Sequence, residues 1–240
     1  MNPPSRPEHR SEGGPAAEPW SAREGIAAVL IAQIVLIFAG STVIALGGWS
    51  SGDVPIVATL GATVPFWVAI AVAASTLGRR DGGETLRGAT PRPVDVAAAT
   101  AAGVAVQLVV VPAFYWVVFR FTSFDTDDLE EPARRLGESA TGAGGALLLV
   151  VMAVRGAPFF EEVLYRGILL PPLRRRVGPG LAIAVAAVVF ALFHFQPLQF
   201  PGLVLLGLAA GWFREYRGGL VAAIVVHASF NLVTVVELLA

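Results

Sequence analysis

The sequence predicts an all-α fold, a polytopic transmembrane bundle of about seven spans. Its 240 residues are 55% hydrophobic and 15% charged, whereas soluble domains run near 45–50% apolar and about 25% charged. The apolar residues gather into long runs, several of the length that crosses a ~30 Å hydrocarbon core at 1.5 Å per residue. Arg is also shared unequally between the two sets of connections that alternating spans would create.

Residues 1–24 are rich in Pro, Gly, Ala, Glu and Ser with mixed charge. Such a stretch cannot bury a core and is expected to be a disordered tail. It is too long and too neutral for a signal peptide. The bundle then occupies 25–240. Runs at 25–48 and 56–78 make two spans joined by a short link, and 79–95 is a polar loop with four Arg. Residues 96–119 form the third span, whose final aromatics suit the headgroup level. Residues 120–145 are an acidic loop with room for a short surface helix. Residues 146–170 make a span that Pro158 is expected to kink and Pro171-Pro172 to end. Runs at 180–196, 202–213 and 219–239 complete the set. Gly207 and Gly211 in the sixth have the small-xxx-small spacing of close helix packing. Alternation places 13 Arg with the tail and the loops at 79–95, 166–177 and 213–218, and three in the acidic loop. The Arg-rich side is then cytoplasmic, in what reads as a bacterial cell membrane.

Composition excludes several chemistries. There is no Cys, so thiolate catalysis, disulfides and Cys-ligated metals are absent, and no Lys, so a Ser-Lys dyad or Schiff base is absent too. A net charge of −1 leaves no footprint for nucleic acid.

The chemistry sits in three spellings in the last third: Glu161-Glu162-Val-Leu-Tyr165-Arg166, Phe190-Ala-Leu-Phe-His194 and His227-Ala-Ser-Phe-Asn231. Each places its polar ends four residues apart on one helix face within an apolar run. A central charge in lipid costs roughly 2.5–3.5 kcal/mol on insertion scales, so these groups should face one another. The turn near Val177-Gly178 supports that. Glu161 lies about 16 residues before it and His194 about 16 after it, which puts both at one depth in an antiparallel pair. Adjacent Glu161 and Glu162 point about 100° apart. Glu162 is expected to pair with Arg166, leaving Glu161 to face the histidines. Tyr165 shares the face of Glu161 and is expected to be structural, as is Phe190 beside His194. A second match, Glu130-Glu131-Pro-Ala-Arg134-Arg135, lies in polar context and reads as solvated charge.

The ordered set Glu-Glu-x-x-x-Arg, Phe-x-x-x-His, His-x-x-x-Asn resembles the signature of the CPBP family. That family comprises type II CAAX prenyl proteases with bacteriocin-processing and Abi-type relatives. The resemblance covers about 140–240. It implies an intramembrane endopeptidase in which Glu161 is the general base on water and His194 assists. His227 and Asn231 would donate to the oxyanion, with Glu162 and Arg166 as support. It further implies a peptide or membrane-protein substrate. Glu161, His194 and His227 also make a His₂Glu set of the kind zinc uses, although there is no His-Glu-x-x-His helix, and metal is read as not obligatory. Two other readings stand beside it. One is a non-proteolytic membrane scaffold or immunity-type protein on the same fold. The other is a proton-coupled transporter, which the lack of internal repeats disfavours. Substrate identity and oligomeric state are not legible.

Overall fold

The computed structural model describes residues 19–240 except 51–52, 82, 84–85 and 87. Among these residues there is helix and no strand. Eight helices follow in order: α1 Ala22–Gly47, α2 Ile56–Gly78, α3 Pro93–Val118, α4 Thr126–Glu138, α5 Gly142–Val177, α6 Pro179–Leu192, α7 Phe200–Tyr216 and α8 Gly219–Leu239. Helices α1, α2, α3, α5 and α8 are long and apolar enough to cross a membrane. The chain is a multi-pass membrane protein. The runs expected to supply two further spans form α6 and α7, of 14 and 17 residues, short of the ~20 that a full crossing takes.

Most of the expected tail, 1–18, lies outside the described residues. Its last part is not loose. Ser21 and Glu24 close a capping box on α1, and Trp20 is fully buried with its indole N–H donating to the Ile168 carbonyl at 2.8 Å.

Helix α5 is the axis. It has 36 residues and is packed against α1, α2, α6 and α8. Glu162 through Leu170 are buried without a break, the signature of a helix covered on all sides. Beyond that stretch, Leu147, Val151, Arg155 and Phe159 form an exposed stripe. The prolines do not end this helix, contrary to the expectation for Pro171-Pro172. The reason lies in two π-helical segments, Val151–Gly156 and Val163–Leu169, each followed within two residues by a proline, Pro158 and Pro171. A third, Val106–Val110 in α3, precedes Pro112 in the same way. In a π turn the N–H reaches five residues back. Thus Ala157 bonds the Met152 carbonyl and Leu170 the Tyr165 carbonyl. The next residue in each case is proline, with no N–H to give. The carbonyls of Ala153 and Arg166 are therefore orphaned, and side chains of other helices satisfy them. Asn231 Nδ2 donates to Ala153 at 2.8 Å and Arg214 Nε to Arg166 at 3.2 Å. Trp20 serves Ile168, four residues before Pro172, likewise.

Helix α8 lies between α3, α5 and α7. Its closest approach to α3 is at Gly103, where an added methyl would run into the Val226 carbonyl and meet Ser229 Cβ at 2.9 Å. Gly103→Ala should therefore push α3 off the helix that carries His227. Overpacking of this kind costs about 1–3 kcal/mol, to be read as a lowered unfolding midpoint in detergent; an unchanged midpoint would contradict the packing.

Helix α4 is the acidic loop's surface helix, with no buried residue. In it Glu131 pairs with Arg134 and Arg135 on an exposed face. Arg135 first and then Arg134 hold its carboxyl below the ordinary value. This second Glu-Glu match is solvated charge. The helix lies over the end of α8, and Gln199 ties it to the α6–α7 turn through the Leu129 carbonyl at 2.8 Å.

Candidate active site

Gly178, at φ 78°, turns α5 back into α6. The hairpin brings the expected pair to one depth: Glu161 Oε2 and His194 Nε2 stand 3.8 Å apart. That is too long for a direct hydrogen bond and within reach of one shared water. Both side chains are partly accessible, 17% for Glu161 and 26% for His194. The sequence places His194 at the end of a span. In the structure α6 stops at Leu192 and His194 sits in the turn beyond it, before Phe195 at φ 53°. Its Nδ1 is 2.8 Å from the Phe190 carbonyl. A carbonyl only accepts, so Nδ1 carries the proton and Nε2 of the neutral ring turns its lone pair towards Glu161.

The second cluster is dry. Glu162 and Arg166 are fully buried and joined at 2.8 Å. The guanidinium also donates to the Gly207 carbonyl at 3.0 Å and lies 4.7 Å over the Phe190 ring. Gly207 is required there, because an added methyl would sit 2.8 Å from Ala187 Cβ and 3.2 Å from Arg166 Nη2. His227, 3% exposed, places Nδ1 2.9 Å from the same Glu162 oxygen that Arg166 uses. Here the sequence expectation changes. Glu161 faces one histidine, His194, and the other is held by Glu162. A carboxylate accepts from Nδ1–H, so Nε2 of a neutral His227 is a lone pair and becomes a donor only in the imidazolium. Asn231, expected beside His227, is pinned to the Ala153 carbonyl, with its second N–H left over.

Phe190, read from sequence as part of the wall, is the centre of the arrangement. It is fully buried. Its ring meets Tyr165, His194 and His227 edge-on at 5.3, 4.5 and 5.6 Å. The Tyr165 hydroxyl accepts from Gln33 of α1 at 3.0 Å, a tie that no local pattern announces. Ser229 donates within its own helix to the Val225 carbonyl.

The zinc set does not fit this geometry. Among the described residues no three His, Asp or Glu lie close enough to hold one ion.

The arrangement thus presents two bases to one point, with a buried ion pair orienting a second imidazole one helix away. Residues 143–233 match the family model for type II CAAX prenyl endopeptidase Rce1-like proteins. This stretch of the chain is Rce1-like. The Rce1-like segment contains all six residues Glu161, Glu162, Arg166, His194, His227 and Asn231, and it spans α5 to α8 but for their outermost residues. The proteins that this family model describes are type II CAAX prenyl endopeptidases. No curated protein and no solved structure matches the chain.

Proposed function

We propose that the protein is an intramembrane endopeptidase that cleaves a peptide bond with water activated by Glu161 and His194. The observation that carries this reading is the 3.8 Å approach of the Glu161 carboxylate to the His194 Nε2 lone pair. A water between them donates to both, and its oxygen lone pair is left for a carbonyl carbon. Attack transfers its proton to Glu161, which later delivers it to the leaving amine. The developing oxyanion takes hydrogen bonds from the second N–H of Asn231 and from His227 Nε2–H. The latter contact requires the ring to carry a proton on both nitrogens. Glu162 and Arg166 set that ring's position and take no part in bond making.

The protein resides in a bacterial cell membrane with its Arg-rich end in the cytoplasm, and its substrates are peptides or membrane proteins. Nucleic acid is no partner. The reading is tested by comparing membrane-derived peptides released by wild type and by Glu161→Ala. Products present only with wild type support it; identical sets favour the scaffold alternative.

No resident metal is obligatory for this route. Purified protein stripped by exhaustive chelation, with metal content measured as sub-stoichiometric, should keep its full rate. Complete loss with recovery on zinc would overturn the metal-free route.

A further inference from the structure

Helices α6 and α7 form a hairpin that enters and leaves the bundle at one end. The exposed Arg174, Arg175 and Arg176 precede α6, and Arg214 lies in the last turn of α7. Arg174 pairs with Glu215 at 2.6 Å, which holds the two ends level. At 1.5 Å per residue the 14 residues of α6 rise about 21 Å and the 17 of α7 about 26 Å. The hydrocarbon core is about 30 Å thick, so the turn at residues 193–199, which contains His194, lies within its depth. Irregular backbone is tolerated there only when it is buried in protein or lines water. None of residues 193–199 is buried, and Phe195 and Pro197 are exposed. The turn therefore borders water.

Helix α4 shows which water. It is rich in charge and has no buried residue, so it lies outside the core. Its Gly137 faces Leu238 at the far end of α8, a helix that starts beside Arg217 at Gly219. The two faces of the membrane are thus marked by α4 and by the Arg-rich end. The α6–α7 turn belongs to the α4 face, since Gln199 donates to the Leu129 carbonyl of α4 at 2.8 Å. Towards the Arg-rich face the way is shut. Glu162 through Leu170 are buried in succession, and Trp20 is fully buried with its indole on the Ile168 carbonyl.

We propose that Glu161 and His194 open to water at the α4 face and are sealed from the Arg-rich face. With the Arg-rich end in the cytoplasm, the substrates are peptide segments presented at the outer surface of the membrane. That substrate class rests on the proteolytic reading; the direction of opening does not.

The chain has no Cys, so single cysteines report the opening without background. The full chain carrying Glu161→Cys, Asp128→Cys or Arg176→Cys is treated with a membrane-impermeant, cationic methanethiosulfonate. Right-side-out spheroplasts and inverted vesicles are compared, and labelling is read by mass. Asp128 on α4 and Arg176 at the Arg-rich end are both exposed and mark the two faces. Glu161→Cys should react from the side that labels Asp128→Cys, which should be the outside, and not from the side that labels Arg176→Cys. Labelling of Glu161→Cys from the Arg176 side, or from neither side, would overturn the opening. Asp128→Cys reacting only in inverted vesicles would overturn the outer-surface substrate class. Should Glu161→Cys fail to fold, Phe195→Cys takes its place with the same outcomes. Labelling needs no turnover, so a protein that labels from the α4 side but releases no peptide upholds the opening while the protease reading falls.

Discussion

Glu161→Gln is expected to leave the protein folded and to lower peptide hydrolysis by about 10²–10⁴-fold, the usual range for a positioned general base. That corresponds to roughly 3–5 kcal/mol of barrier. The amide keeps the carboxylate's volume and its contact with solvent but accepts no proton. Fold should be spared because the carboxylate's ionic approach is the 3.8 Å one to His194, at a partly exposed site. Changes away from buried networks usually stay within about 0.5 kcal/mol. Turnover of a membrane peptide and the unfolding midpoint must be measured on the same preparation. The adjacent Glu162 provides the contrast. It is fully buried and bonded to Arg166 and His227, so its replacement should lower activity and midpoint together. Glu161→Gln retaining most of its rate would remove the base from the mechanism. A collapse of its midpoint would make the residue structural instead.

Much of this site could be read from spacing alone. The hairpin about Gly178 put Glu161 and His194 at one depth, and the i,i+4 rule paired Glu162 with Arg166. What spacing could not supply was which carboxylate each histidine meets. That depends on the helical phase of α5, and two π segments shift the phase by fractions of a turn. Their signal was present in Pro112, Pro158 and Pro171, each inside an apolar run. Pro158 alone suggests a kink and Pro171-Pro172 a stop, although a proline directly after a π turn leaves only an orphan carbonyl. Asn231, Arg214 and Trp20 fill the vacant positions, and no short-range pattern points to any of the three. The end of the tail was also legible in part. Ser21-Ala-Arg-Glu24 spells a capping box, which puts an ordered helix start inside the stretch taken as loose. The short α6 was not legible, because its apolar run continues to Phe195 while the backbone turns at His194.

Arg166→Leu should be the most destabilising single change in the protein, at about 3–5 kcal/mol. Removing one partner of a buried pair leaves an uncompensated charge in a low-dielectric interior. Here the survivor is Glu162, fully buried, with His227 as its remaining bonded neighbour. The Gly207 carbonyl also loses its donor, a further cost of about 1–3 kcal/mol for a buried group left unmade. Adding Glu162→Gln to Arg166→Leu removes the stranded charge while its amide oxygen can still accept from His227 Nδ1–H. The double variant should therefore be more stable than Arg166→Leu alone, a non-additivity that independent sites do not show. Arg166→Lys keeps the charge but has no planar fork to reach Glu162 and Gly207 together while lying on Phe190, so it should fall between wild type and Arg166→Leu. Denaturation in mixed micelles across these variants measures the cycle. If the two losses simply add, the pair is a spectator in the core, and the claim that it holds His227 in place fails with it.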